Sequence, residues 1–223
     1  MIPLPRPCLC LVTNRRALTP DARTIRDEIL ALERLLEEAI AARIDLIQIR
    51  EGDLEASVLR DLTVRVRACA TEATRILVND RADVAIAARA AGVHLRADAP
   101  GTAAVRALAP AHWLVGRSVH HAAEAAAHDD ADYLLFGTVF ESGSKPGQPA
   151  SGVDALGAAV RAARAPVLAI GGLTPDRVPA CAAAGAWGVA AIGVFLPPGR
   201  THDSLGPGPA AEALRAAFAR QGC

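Results

Sequence analysis

Eight short apolar segments alternate with eight segments of helical period along the chain, and this alternation constrains the fold more than any other feature. The apolar segments carry too few polar positions for a sheet with one face in water, so parallel strands covered by helices are expected. The predicted strands are 9–13, 46–50, 75–79, 93–95, 113–118, 133–137, 167–171 and 189–193. The predicted helices are 26–43, 54–73, 81–90, 102–109, 121–129, 153–164, 175–184 and 208–219.

Eight repeats in a chain of 223 residues favour a single (β/α)8 TIM barrel, an α/β fold. A doubly wound open sheet is the structural alternative, because periodicity alone does not separate the two. We expect one domain over residues 1–223, with the core of the barrel at about 9–219. Aromatic residues make up only 3% of the chain, which predicts close packing of small side chains rather than an aromatic binding surface.

Charge and cysteine content exclude several classes of function. The chain has 24 basic and 24 acidic residues, so no net field draws it to nucleic acid or to acidic membranes. No stretch approaches the ~18 consecutive apolar residues of a membrane span, and prolines interrupt the apolar N-terminus. The five cysteines lack CxxC or metal-ligand spacing, so we expect reduced thiols and a cytoplasmic location. A homo-oligomer is compatible with this composition.

Polar residues follow nearly every predicted strand at the point where it ends. In a barrel these ends meet at one rim, where barrel enzymes place their chemistry. Some of them could merely cap helices, as Asp80 and Ser118 would, but capping does not require Gln-x-Arg-Glu inside an apolar strand. A binding site at the rim explains the set better. The residues concerned are 13–14, 48–51, 79–81, 94, 118–120, 137–138 and 171–172.

Lys145 is the one lysine among 24 basic residues, which suggests that its position needs a compact ammonium group. It lies in the loop S-G-S-K-P-G at 142–147, where hydroxyls and glycine N–H groups are further donors. Lysine acts on phosphate as a point charge, whereas arginine imposes a planar fork. We expect Ser142, Ser144 and Lys145 to bind an anion; an ordinary solvated loop is the alternative.

Glycines mark the ends of the last two predicted strands. Gly171 and Gly172 follow the seventh strand and Gly193 follows the eighth, which is where many barrels bind phosphate through backbone N–H groups. The sequence T-P-D at 174–176 predicts a helix N-cap with proline in the first turn. We therefore expect a phosphate site at these two strand ends.

Asp80, beside Asn79, is the best candidate ligand for Mg²⁺, and Asp98 is a candidate second ligand. Mg²⁺ prefers one or two carboxylates together with water and substrate phosphate oxygens. Either aspartate alone is as readily a cap or a surface charge. Arg50 suits bidentate recognition of phosphate, with Glu51 expected to orient it; a structural ion pair inside the barrel is the alternative.

In their order and positions these motifs resemble the thiamine phosphate synthase/TenI superfamily of (β/α)8 barrels over about residues 9–195. Each motif is weak by itself, but their joint order at the strand ends is specific. The matching segments are Q-I-R-E at 48–51, V-N-D-R at 78–81, G-V-H-L at 92–95, G-R-S-V-H at 116–120, D-Y at 132–133, S-G-S-K at 142–145 and A-I-G-G at 169–172.

The resemblance implies a transferase that condenses 4-amino-2-methyl-5-pyrimidinylmethyl diphosphate with thiazole phosphate, giving thiamine phosphate and pyrophosphate. Losing pyrophosphate is mainly a problem of leaving-group charge, so Lys145, Arg50 and Ser118 are the catalytic candidates. The residues implied to bind the pyrimidine and its diphosphate are Gln48, Arg50, Asn79, Ser118 and Lys145. The residue implied to bind Mg²⁺ is Asp80. Those implied to bind thiazole phosphate are Ser142, Ser144, Gly172, Ile192 and Gly193.

Three departures from the family pattern keep other functions open. Gly52 stands where the family has a diphosphate-binding lysine, and Ala99 stands where it has its second metal aspartate. Thr138 stands where TenI-type thiazole tautomerases carry a histidine, and threonine does not shuttle protons near neutral pH. The alternatives are therefore a TenI-type tautomerase and a catalytically weak accessory protein that binds thiamine phosphates. Arg96 and Arg117 are candidates to compensate for Gly52.

Overall fold

Eight parallel strands close into a barrel in the computed structural model, which describes residues 3–142 and 149–220. Each strand pairs with the next, and Cys10 of the first strand is in register with Ala190 of the last. The single barrel prediction is confirmed and the open-sheet alternative is wrong. The strands are β1 Cys8–Val12, β2 Leu46–Ile49, β3 Arg75–Asn79, β4 Gly92–Leu95, β5 Leu114–Val119, β6 Tyr133–Phe136, β7 Val167–Ile170 and β8 Gly188–Ala191.

Helices follow the strands and form the outer layer of the described chain. They are α1 Arg15–Leu18, α2 Ile25–Ala41, α3 Ala56–Cys69, α4 Ala82–Ala87, α5 Thr102–Arg106, α6 Ala122–Ala127, α7 Gly152–Ala162, α8 Val178–Ala183 and α9 Pro207–Ala219, with a 3₁₀ turn at Gly193–Phe195. In the described part of the chain, none of them combines the length and apolar character needed to cross a bilayer.

The longest helix, α2, shows why these segments are helical. Its buried residues recur at intervals of three and four, which places one apolar stripe against the barrel. The Thr24 side chain accepts a hydrogen bond from the Asp27 backbone N–H and caps the first turn. The buried residues of the stripe are Leu32, Leu35, Leu36, Ala39 and Ile40.

The helix predicted from residue 175 begins later, at Val178. The backbone N–H groups of Arg177 and Val178 both donate to the carbonyl of Thr174, which closes a turn before the helix starts. The expected N-cap at Thr174 is therefore wrong, and the proline in the first turn is Pro179 rather than Pro175.

Alternate residues of each strand point into the barrel, and this two-residue period positions the site. The lower interior is apolar, whereas the inward residues nearest the carboxyl ends of β2, β3 and β5 are Gln48, Asn79 and Ser118. These polar side chains therefore reach the carboxyl-end rim together. The apolar interior residues are Leu4, Cys8, Cys10, Val12, Leu46, Leu77, Leu114, Tyr133, Leu135, Leu168 and Ala190.

Candidate active site

The carboxyl ends of the strands surround a cavity of about 810 Å³, which is within the usual range for a small-molecule site. Asp80 was predicted to lie at the rim, but it is not part of the cavity lining; it pairs with Arg96, which is. Ser144 and Lys145 lie outside the described residues. The predicted site residues that line the cavity are Gln48, Arg50, Asn79, Asp98, Ser118, Ser142, Gly171, Gly172, Ile192 and Gly193.

A directed chain of hydrogen bonds runs from Asp80 to Gln48. The Asn79 Nδ2 group donates to the Asp80 carboxylate at 3.1 Å, which leaves Asn79 Oδ1 to accept from Gln48 Nε2 at 2.7 Å. Gln48 Oε1 is buried and has no hydrogen-bond partner among the described residues. Because Gln48 lines the cavity, this unpaired acceptor belongs to the cavity wall.

Arg50 follows β2 with its side chain exposed at the cavity. Its backbone N–H donates to Thr13 Oγ1 at 2.8 Å, which ties the end of β2 to β1. Within residues 3–142 and 149–220, no ion pair involves Arg50. The expectation that Glu51 orients Arg50 is wrong, because Glu51 is buried against Arg15 instead. The Arg50 guanidinium therefore faces the cavity with its donors uncommitted.

Arg15 is a buried arginine that the motifs did not single out. Its guanidinium binds Glu51 at 2.9 Å, Asp53 at 2.6 Å and Glu28 at 2.7 Å. The hydrogen bond from Arg15 lowers the pKa of Asp53 to about 2. Glu51 and Asp53 flank Gly52, so the ion pairs with Arg15 fix the loop in which Gly52 stands in place of the lysine expected from the family.

Asp80 and Asp98, the two predicted metal ligands, converge on one guanidinium. Arg96 Nε lies 2.7 Å from Asp80 Oδ2 and 3.3 Å from Asp98 Oδ1, and the Arg96 backbone N–H donates to Asp80 Oδ1 at 2.8 Å. Within the described part of the chain, no group of three His, Cys, Asp or Glu side chains is close enough to hold a metal. The two carboxylates nevertheless supply hard oxygen donors, and the positive charge that lies between them is the Arg96 guanidinium. The Arg96 side chain is 61% exposed, so it has room to move. This donor set fits Mg²⁺ if Arg96 moves away.

Arg117 has a structural role in the loop after β4. Its guanidinium donates to the backbone carbonyls of Ala97, Ala99 and Pro100 at 2.8–2.9 Å. Arg117 is buried and is not part of the cavity lining, so it does not compensate for Gly52. Of the two arginines considered for that role, Arg96 is the one at the cavity.

The residues that follow β7 and β8, with glycine at 171, 172 and 193, form one corner of the cavity. Gly172 has φ +59°, and a Cβ there would lie 2.3 Å from the Glu141 carbonyl oxygen, so this turn requires glycine. Arg177, which sequence motifs did not identify, donates to the Gly172 carbonyl at 2.7 Å and lies over the Phe140 ring. The corner therefore adds a positive charge to the glycine-rich strand ends expected to bind phosphate.

His94 occupies the floor of the cavity and is only 1% exposed. Its Nδ1 lies 3.0 Å from the Tyr133 hydroxyl and its Nε2 lies 2.9 Å from Ser118 Oγ. Burial, together with the positive charges of Arg50 and Arg117, lowers the pKa of His94 to about 3. The imidazole is therefore neutral at physiological pH.

The depressed pKa of His94 predicts an acid-sensitive fold. Between the unfolded pKa near 6.5 and the folded pKa of about 3, the unfolded chain binds a proton that the folded chain does not. The stabilisation is full above pH 6.5 and is lost as the pH falls, by about 2 kcal/mol on reaching pH 5. Urea unfolding of wild type and His94→Gln at both pH values measures this loss. Equal pH dependence in the two proteins would show that His94 does not keep a depressed pKa.

His120, which the sequence places at the rim and for which a structural role away from the substrate was expected, lines the cavity. Its Nδ1 lies 2.5 Å from the Gly137 carbonyl oxygen, so the ring sits beside Thr138 at the end of β6. A segment before α9 also lines the cavity, with Thr201, His202 and Asp203. From its glycine and proline content this segment was predicted to be a loop. Nothing in the sequence indicated that the loop lies at the rim.

Comparisons with known proteins point to one family. The family model for thiamine monophosphate synthase matches residues 17–195. The thiamine-phosphate synthase of Anaeromyxobacter dehalogenans is 39% identical over 183 residues, covering 81% of this chain and 80% of the relative. That of Methanocella arvoryzae is 39% identical over 167 residues, covering 73% of this chain and 78% of the relative.

Solved structures extend the similarity across the whole chain. The thiamine phosphate pyrophosphorylase of Pyrococcus furiosus superposes with a TM-score of 0.78 at 26% identity, covering 97% of each chain. A 3-hexulose-6-phosphate synthase, at 20% identity and a TM-score of 0.65 over 95% of this chain and 99% of its own, shares the fold.

Proposed function

The chain belongs to the thiamine monophosphate synthase family, and from that membership we propose that it is a thiamine-phosphate synthase. It joins 4-amino-2-methyl-5-pyrimidinylmethyl diphosphate to thiazole phosphate and releases pyrophosphate. The observation that carries the proposal is the cavity at the rim, which combines an unpaired acceptor, an arginine without an ion pair among the described residues, and a glycine corner. We include in the proposal one functional domain over residues 1–223, a cytoplasmic location and small phosphorylated ligands rather than nucleic acid or membrane.

The acceptor at Gln48 suits the pyrimidine ring. The hydrogen bonds through Asn79 commit the Gln48 amide nitrogen, so Oε1 is left for the substrate. A buried acceptor without a partner is costly, and the 4-amino group of the pyrimidine is a donor that would satisfy it. We expect the pyrimidine to lie against this wall, with its methylene carbon directed toward the centre of the cavity.

The diphosphate lies between Arg50, Ser118 and Asn79 in this proposal. Arg50 offers a planar fork of donors, and Ser118 adds a hydroxyl from the end of β5. Lys145 is assigned to the same group from its sequence motif alone, since it lies outside the described residues. These positive charges and donors stabilise the negative charge that develops on departing pyrophosphate.

We propose that Asp80 and Asp98 hold Mg²⁺ when the diphosphate binds. When bound, the ion supplies further neutralisation of the diphosphate charge. Arg96 then leaves the two carboxylates, and its guanidinium is free to take the place of the missing lysine at Gly52. In this proposal Arg96 compensates for the lysine missing at Gly52, and Asp98 compensates for the aspartate missing at Ala99.

The corner at β7 and β8 is assigned to the phosphate of the thiazole substrate. Gly171, Gly172, Ile192 and Gly193 line it, and Ser142 lies at its edge. Arg177, which also lines the cavity, donates to the Gly172 carbonyl and adds a positive charge to the corner. With its phosphate anchored here, the thiazole ring is directed toward the pyrimidine methylene group.

The reaction needs no general base. The bond between the pyrimidine methylene carbon and the diphosphate oxygen breaks, and pyrophosphate leaves with the electron pair. The thiazole nitrogen lone pair forms the new carbon–nitrogen bond, so the positive charge ends on the thiazolium ring. Binding both substrates in line and excluding water therefore provides most of the catalysis.

A direct assay tests this function. Purified protein is incubated with both substrates, with and without Mg²⁺, and thiamine phosphate is measured by fluorescence after oxidation. We expect Mg²⁺-dependent product, and we expect Lys145→Ala to lower the rate by about tenfold or more because one cation at the leaving group is lost. Absence of product at saturating substrate would exclude the synthase activity. Binding of thiamine phosphates without turnover would instead support an accessory protein.

One observation favours a second candidate, a thiazole tautomerase. Thr138 cannot shuttle protons, but the His120 imidazole sits beside it at the cavity. Tautomerisation of the carboxylated thiazole phosphate without the pyrimidine substrate, lost in His120→Gln, would establish this activity. We expect no such turnover, because the site keeps the donors that a diphosphate needs.

A further inference from the structure

We propose that Tyr133 and His94 fix the direction of hydrogen bonding at Ser118, so that Ser118 presents its hydroxyl proton to the cavity. The proposed role of that proton, donation to the diphosphate, rests on the synthase function above. Tyr133 and His94 would thus be positioning residues, which act through Ser118 without contacting the substrate themselves.

Three side chains form a line from the barrel core to the cavity. The Tyr133 hydroxyl lies 3.0 Å from His94 Nδ1, and His94 Nε2 lies 2.9 Å from Ser118 Oγ. A neutral imidazole has one donor nitrogen and one acceptor nitrogen, so two arrangements are conceivable. Either Nδ1 carries the proton and Ser118 must donate to His94, or Nε2 carries it and Ser118 accepts.

The burial of Tyr133 selects between these two arrangements. Tyr133 is 0% exposed, and in the described part of the chain its hydroxyl has no hydrogen-bond partner besides His94. If Nδ1 carried the proton, the phenolic proton would be left without an acceptor inside the barrel, which buried polar groups avoid. The phenol therefore donates to Nδ1, and the imidazole proton resides on Nε2.

The same direction continues to the cavity. With its proton on Nε2, His94 donates to Ser118 Oγ, and the serine keeps its own proton for another acceptor. Ser118 lines the cavity, so that acceptor is a ligand atom or water. Phosphate oxygens are strong acceptors, which makes a hydroxyl held in this way suited to an anionic group.

Gly116 makes the line geometrically feasible. It is the register partner of both His94 on β4 and Tyr133 on β6. A Cβ at Gly116 would lie 2.1 Å from Tyr133 Cζ and 2.5 Å from its hydroxyl oxygen. The missing side chain leaves the space in which the phenol reaches across β5 to the imidazole.

The environment of Tyr133 and His94 keeps both side chains uncharged. Burial and the positive charges of Arg50 and Arg117 disfavour the imidazolium form of His94 and lower its pKa. Burial also raises the pKa of Tyr133, so the phenol keeps its proton. Ser118 thus has the same hydrogen-bonding direction across the physiological range of pH.

Nuclear magnetic resonance of the wild-type protein tests the arrangement without any substrate. Long-range proton–nitrogen spectra of histidine ring-labelled protein distinguish a protonated ring nitrogen from an unprotonated one, and His94→Gln assigns the signal. We expect His94 to carry its proton on Nε2 near neutral pH. A proton on Nδ1, or on both nitrogens, would overturn the proposal. Because no turnover is measured, this result is independent of whether the synthase assay succeeds.

Two matched variants test the consequence for binding, with inorganic pyrophosphate as the probe in calorimetry. The His94→Gln amide nitrogen falls near the position of Nε2, whereas that of His94→Asn reaches only the position of Nδ1. We expect the Gln variant to bind within about threefold of wild type and the Asn variant to weaken about tenfold, as Ser118→Ala does. Equal affinities in the Gln and Asn variants would contradict the proposal, because a donor at the position of Nε2 would then make no difference to binding.

Tyr133→Phe removes only the hydroxyl that sets the direction. We expect both ring nitrogens of His94 to appear partly protonated in this variant, and pyrophosphate affinity to fall by about threefold. A His94 signal unchanged from wild type would mean that Tyr133 does not control the tautomer. The spectral readout separates this role from a structural one, since a stability defect leaves the tautomer of the folded fraction unaltered.

Discussion

Replacing Arg50 with glutamine is expected to lower kcat/KM for thiamine phosphate formation by about 10²–10³-fold, the range for removing one charge-stabilising donor from an active site. Arg50 lies at the cavity, and no ion pair ties up its guanidinium in the described part of the chain. Its charge is therefore available to the diphosphate, and it acts most strongly as the leaving group gains charge. Steady-state kinetics with the diphosphate substrate varied measures the effect.

Arg60→Gln is the matched control for this experiment. Arg60 lies on α3, is about half exposed and pairs with Asp61, away from the cavity lining. The same loss of one positive charge there should leave kcat/KM within about twofold, because surface charges are strongly screened. If Arg50→Gln and Arg60→Gln had similar kinetics, Arg50 would have no special role at the leaving group.

Replacing Gly188 with alanine is expected to destabilise the barrel by about 3 kcal/mol, the upper end of the usual range for overpacking. A Cβ at Gly188 would lie 1.9 Å from the carbonyl oxygen of Cys8, its partner on β1. The obstacle is backbone rather than a movable side chain, so β1 and β8 must separate where the barrel closes. The midpoint of urea unfolding, followed by circular dichroism, gives the change in stability.

Gly208→Ala provides a case without crowding and with the same chemical change. Gly208 lies in the first turn of α9, and apart from its chain neighbours Pro207 and Pro209 no atom comes within 4 Å of the position that its Cβ would take. Alanine restricts the unfolded chain, but Pro209 disfavours a helical residue with a Cβ before it, so the stability should change by less than about 1 kcal/mol. A Gly188→Ala protein as stable as wild type would show that the two strands can part at little cost.

The barrel itself could be predicted from the chain because its signals are local. Apolar strands of four to six residues alternate with amphipathic helices such as α2, and each pattern is contained in one segment. Helix and strand ends were less accurate. The helix predicted from residue 175 begins at Val178, since the Thr174 carbonyl closes a turn that no local pattern indicated.

The sequence predicted which residues line the candidate site but not which residues they contact. Gln48, Asn79 and Ser118 stand at strand ends, and the two-residue period of each strand is enough to turn them toward one rim. Their partners depend on which strand lies beside which, and in what register. Glu51 therefore pairs with Arg15 rather than with its neighbour Arg50.

The sequence by itself determined that this chain forms a barrel of eight repeats with polar strand ends, because the periods of strands and helices are written in neighbouring residues. Only the tertiary structure decided that Arg96 lies between Asp80 and Asp98, and that His94 joins Tyr133 to Ser118. Apart from the Arg96–Asp98 pair, these contacts join residues that are at least 16 positions apart in the chain. Barrel closure and strand register bring them together, and neither can be read from spacing along the sequence.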